Sequence, residues 1–158
     1  MPVADKLIQV AETYGFDGWF INQETEGAEE RALTRDDAVK MQEFIKYFKK
    51  QAPEMRLVYY DSMTSEGKMD WQNALTDKNT MFMTDEEGNA VADEMFLNFW
   101  WTEDELADKD LLKAFGEKAE ELGISPYDLY ASVDVQAEGY LTPVRWDLFG
   151  SGENTTNT

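Results

Sequence analysis

Four apolar runs, set apart by amphipathic and turn-rich stretches, constrain this chain more than any other feature. DGWFINQE (17–24), MRLVYYDS (55–62), MFLNFWW (95–101) and DLYASVDVQ (128–136) are dense in aromatic and β-branched residues, as strands buried on both faces are. Helical spacing precedes the first run, with Val3, Leu7, Ile8, Val10 and Ala11 on one stripe and Gly15 as the stop. A second helix follows the Thr34–Asp37 cap, its face marked by Ala38, Met41, Phe44, Ile45 and Phe48. A third runs from the capping box of Thr102 and Glu105 to Leu122, ended by Gly123. Residues 63–80 read as a long loop holding Trp71, and 80–92 as a small hairpin turning at Glu87-Gly88-Asn89. Strands alternating with helical crossovers predict an α/β fold with a parallel sheet. A doubly wound sheet would advertise a GxGxxG turn, which is absent. A complete (β/α)8 TIM barrel needs roughly 250 residues. The expectation is therefore about half of such a barrel, four β-α units over residues 1–150, with 151–158 a disordered tail. Half a barrel leaves two unpaired sheet edges, so self-association or pairing with the missing barrel half is expected.

Charge and composition narrow the chemistry. The 158 residues include 33 acidic and 14 basic side chains, a net charge of −19. Nucleic acid and anionic membrane surfaces are excluded as partners, since both are bound through Lys and Arg. There is no His and no Cys, which removes Ser-His-Asp triads, thiol nucleophiles and His/Cys zinc sites. No cofactor and no metal are expected; DEEGNAVADE carries its glycine at the wrong place for an EF-hand loop. No targeting signal and no run of 18 apolar residues occurs in this sequence. What remains is chemistry by carboxylates, amides and hydroxyls.

Active sites of parallel α/β folds gather at the C-terminal ends of the strands. There the sequence places Asn22, Gln23 and Glu24; Tyr60 and Asp61; Phe99, Trp100 and Trp101; and Asp134 and Gln136. Side chains alternate along a strand, so Phe20, Asn22 and Glu24 share one face while Tyr59 and Tyr60 oppose each other. Glycoside hydrolysis usually employs two carboxylates, whereas here an amide stands beside the carboxyl group. That pairing suits a sugar whose own 2-acetamido group attacks its anomeric carbon. Glu24 would then protonate the leaving oxygen, and Asn22 would hold the acetamide N–H. Taken alone, Glu24 also reads as a solvated strand-end carboxylate and Asn22 as an amide satisfying loop backbone. Acidic runs such as Glu26–Glu30 read as solvated surface and helix-start charge.

The blocks FDGWFINQETEG, RLVYYDSMTSEGKMDWQNAL, MFLNFWW and DLYASVDVQAEGY together resemble endo-β-N-acetylglucosaminidases of glycoside hydrolase family 85, especially the bacterial endo-D type, over roughly residues 4–149. The resemblance implies a (β/α)8 barrel that cleaves between the two GlcNAc residues of the N-linked glycan core. It implies Glu24 as acid/base, Asn22 as the acetamide partner, Tyr60 as the active-site tyrosine, and Trp71, Trp100 and Trp101 as substrate-binding aromatics. A bacterial, secreted or cell-surface parent follows from it, with the cytoplasm left open. The family's first strands and its customary β-sandwich domains have no counterpart here, so low activity is expected of this stretch alone. Two other readings stay open: a non-catalytic glycan-binding piece, and a two-carboxylate glycosidase using Glu24 and Asp61.

Overall fold

A computed structural model of the chain describes residues 1–28, 31–100 and 111–132. Helix α1 (Pro2–Tyr14) begins with proline at its first turn, where no N–H partner is lost, and ends at Gly15, whose φ of 75° only glycine adopts freely. It leads into β1 (Gly18–Ile21), and a small antiparallel pair, β2 (Gly27–Ala28) and β3 (Arg31–Ala32), follows. Helix α2 (Arg35–Gln51) opens on the Thr34–Asp37 capping box and buries Ala38, Ile45 and Phe48. Then come β4 (Arg56–Tyr60), β5 (Glu94–Leu97), α3 (Leu111–Glu121) and β6 (Leu129–Ala131). After α3, Gly123 takes a φ of 67° and Ile124 N–H reaches back to the Ala119 carbonyl at 2.8 Å, so the helix stops where the sequence places its stop.

The four principal strands form one parallel sheet in the order β1-β4-β5-β6. Each new strand adds to the same side with no reversal, which is how a barrel wall grows; a doubly wound sheet reverses at a switch point. The sheet is part of a (β/α)8 barrel, and within the described residues it is open at β1 and β6. One face packs on the helices through Leu57, Tyr59, Met95 and Leu97, all fully buried against Ile45 and Phe48. The other face carries the alternate residues. Phe20, Tyr60 and Phe96 meet there, with ring centroids 5.3–6.1 Å apart. Toward the N-terminal ends of the strands, Arg56 and the Tyr130 hydroxyl both donate to Glu94 Oε1, joining β4, β5 and β6.

One connection differs from the sequence expectation in detail. The β4–β5 crossover contains no α-helix, in keeping with the long loop read over 63–80, and carries a 3₁₀ turn at Thr80–Phe82. Phe82, fully buried, stacks on Tyr59 at 4.3 Å and so fills the layer a crossover helix would occupy. The expected 80–92 hairpin is reduced to a single bridge, Thr84 to Ala90. Asp85 explains the contraction: its carboxylate accepts the N–H groups of Glu87 (3.1 Å) and Asn89 (2.8 Å), closing an Asx-type turn in place of a strand ladder. The third helix is described only over 111–121, and its Thr102–Glu105 cap, Asp134, Gln136 and the 151–158 tail lie outside the described residues.

An open β1 edge beside exposed Val3, Tyr14, Phe16 and Phe20 favours pairing with another chain. The 158-residue polypeptide on its own is therefore expected to run as oligomers in light scattering coupled to size exclusion. A dilute monomer with a sharp two-state melt would contradict this.

Candidate active site

The site is built on the C-terminal ends of β1, β4 and β5. Beyond Ile21 the ladder ends, yet residues 22–24 stay anchored, because Ser62 Oγ donates to the Gln23 carbonyl at 2.6 Å. Gln23 turns its amide onto Thr25, donating to its carbonyl (3.0 Å) and hydroxyl (2.9 Å). Asn22 and Glu24 flank this fixed residue and are both exposed. The chain after Tyr60 then makes the loop of residues 62–79, which returns Trp71 to β1. The Trp71 indole N–H donates to Glu24 Oε1 at 3.2 Å, across 47 residues of sequence. With 42 % of its surface exposed, Trp71 offers a broad apolar face beside the carboxylate.

Tyr60 lies at the floor of the site, 6 % exposed, and donates its hydroxyl proton to Asn98 Oδ1 at 2.8 Å. Tyr59, on the opposite face, belongs to the core. Trp100 is half-buried at the end of β5, its backbone N–H bound to Asn73 Oδ1 at 3.1 Å. Trp101 lies outside the described residues. The structure thus brings Asn22, Glu24, Tyr60, Trp71 and Trp100 to the same end of the sheet.

Asp61 plays a different part from the one a second carboxylate would play. It is 1 % exposed and accepts from Asn79 Nδ2 (2.9 Å), Asn73 N–H (2.7 Å) and Gln72 N–H (3.3 Å). Burial pushes its carboxyl up to about 6, against the opposing pull of these donors. Its oxygens are committed to holding the Trp71 loop.

Sequence reasoning overlooked Asn73, Asn98 and Ser62. A signal for Asn98 existed: one amide inside the apolar run MFLNFWW must find partners when buried. For Asn73 the signal is visible only in three dimensions, as a φ of 54°. Among the described residues, no group of three or more acidic side chains could hold a metal ion, and no helix is long and apolar enough to cross a membrane.

Fold and site together define an α/β-barrel protein with a carboxyl and an amide two residues apart, set among aromatics at the strand ends. The sequence model of glycosyl hydrolase family 85 matches residues 1–156, and the chain belongs to that family. It is 36% identical over 141 residues to the cytosolic endo-beta-N-acetylglucosaminidase of Danio rerio, covering 86% of this chain and 17% of that protein. Cytosolic endo-beta-N-acetylglucosaminidase 2 of Arabidopsis thaliana is 30% identical over 158 residues, covering 98% and 18%. Among solved structures, the glycoside hydrolase domain of Endo-D from Streptococcus pneumoniae R6 superposes with a TM-score of 0.73 at 34% identity, covering 88% of this chain and 21% of that one. The chain spans less than a fifth of the length of these two curated relatives.

Proposed function

We propose that this chain supplies the acid/base portion of an endo-β-N-acetylglucosaminidase that hydrolyses the GlcNAc-β1,4-GlcNAc core of N-linked glycans with retention. The observation that carries the reading is the Trp71–Glu24 hydrogen bond. It fixes one carboxyl oxygen beside an exposed indole face, with Asn22 on the same strand end. In the first step the substrate's acetamide oxygen bonds to the anomeric carbon as the glycosidic C–O bond breaks, and Glu24 gives its proton to the departing oxygen. Asn22 Oδ1 holds the acetamide N–H while positive charge develops on the oxazoline ring. In the second step Glu24 takes a proton from water as the water oxygen opens the ring from the opposite side, so two inversions give retention. Trp71 and Trp100 offer stacking surfaces for sugar rings, and Trp101 is kept as a third candidate. The commitment of Asp61 to the loop favours this route over a two-carboxylate mechanism with Glu24. The Danio rerio and Arabidopsis thaliana relatives are named as cytosolic proteins, which favours the cytoplasm over a secreted or cell-surface location.

Asn22→Ala in the complete enzyme tests the mechanism. Cleavage of the natural glycoside is expected to fall about 100-fold or more, as for removal of one transition-state partner. A preformed sugar oxazoline is expected to be turned over nearly as before, since it has already passed the step Asn22 assists. Equal losses on both substrates would make Asn22 a structural residue.

A further inference from the structure

We propose that Asn98 and Asn73 form an amide relay that sets the direction of the Tyr60 hydroxyl and ties it to the loop carrying Trp71, which makes both of them positioning residues. The inference rests on the reading of Tyr60 as a site residue. Its polarity follows from one donor that cannot be reversed. The Trp100 backbone N–H points at the Asn73 side chain (3.1 Å), so the atom it meets must be the oxygen, Oδ1. The Asn98 amide approaches that same oxygen at 3.0 Å and therefore presents Nδ2. Its other end, Oδ1, then faces Tyr60 at 2.8 Å, and in that bond the phenol must donate. All three side chains are buried, at 9 % exposure or less. Turning any one of them would set two donors or two acceptors against each other where water cannot compensate.

Asn73 is itself held. Its φ of 54° is a conformation asparagine tolerates better than most side chains, and its N–H is bound to Asp61 at 2.7 Å. It stands two residues after Trp71, whose indole contacts Glu24. The relay thus joins the end of β4, the end of β5 and the loop over β1. Anything that displaces Asn73 disturbs the phenol and the indole together.

A double-mutant cycle in the complete enzyme, assayed on a GlcNAc-GlcNAc glycopeptide, tests the relay. Tyr60→Phe and Asn98→Ala are each expected to lower kcat about tenfold or more, with KM changed less than about threefold. The double variant is expected to match Tyr60→Phe within about threefold, because Asn98 acts through a hydroxyl that is already gone. Losses that multiply would overturn the proposal, as would an Asn98→Ala enzyme of unchanged kcat. A Tyr60→Phe enzyme of unchanged kcat would instead remove Tyr60 from the site, and the relay with it. Asn98→Asp serves if the alanine variant does not fold. Its carboxyl still accepts from Tyr60 but donates to Asn73 only when protonated, so its kcat relative to wild type should rise as pH falls. A ratio independent of pH contradicts the relay.

Discussion

Glu24→Gln is expected to lower kcat of the complete enzyme by ~10²–10⁴-fold while leaving the fold intact, the range that loss of a general acid produces. The amide matches the carboxyl group in size and still offers Oε1 to the Trp71 indole, so the contact seen at 3.2 Å survives. What it lacks is a proton to give the leaving oxygen. A change confined to kcat, with the glycan still bound, is the signature of an interaction made in the transition state. Retention of more than about a tenth of the wild-type kcat would take the acid/base role from Glu24. The comparison with Trp71→Phe is informative: that change keeps an aromatic face but removes the N–H, so it reports how much the held carboxyl orientation contributes.

The second large effect concerns Asp61 and stability. Its carboxyl lies at about 6 in the folded protein, above the ordinary 3.8, because burial disfavours the charge. Between those values the folded state holds more protons than the unfolded one. The contribution of this group to stability therefore falls as pH rises from about 4 to 7, by on the order of 3 kcal/mol, and is level above that. Asp61→Asn cannot ionise and removes the dependence. The unfolding free energy of wild type minus that of the variant, measured by denaturant titration from about pH 8 down to about pH 4, should grow by that amount. Asp5, Asp37 and Asp70 are shifted the opposite way by their hydrogen bonds and lose stabilising charge in acid, but they are common to both proteins and cancel. A difference that does not change with pH would show Asp61 to be as easily ionised inside the fold as outside.

Side-chain alternation carried much of the site's layout. It grouped Asn22 and Glu24 with Phe20 and separated Tyr60 from Tyr59, and the geometry has Phe20 and Tyr60 on one face and Tyr59 in the core. Strand ends were less legible. The run 17–24 looks uniformly strand-like, yet pairing stops at Ile21, since the next carbonyl held, that of Gln23, goes to a serine hydroxyl. The crossover after β4 was legible as a loop but not as a core element, because Phe82 gains its place only by meeting Tyr59. The relay was out of reach for a related reason. Tyr60 and Asn98 are 38 residues apart, Asn73 and Asn98 are 25 apart, and no local pattern links them.

The cluster of Arg56, Glu94 and Tyr130 lies four residues below Tyr60 and Asn98 along β4 and β5, roughly 13 Å at the usual strand rise. There the largely exposed Arg56 guanidinium neutralises the buried Glu94 carboxylate, away from the strand ends that carry Asn22 and Glu24. The strands accordingly behave as posts with a foundation and a workbench. An engineer seeking new glycan selectivity could rebuild the Trp71 loop or the Trp100 tip without touching the foundation. Replacing Arg56 would have the converse result: a buried Glu94 carboxylate deprived of its cation, and a foundation weakened where β4, β5 and β6 meet.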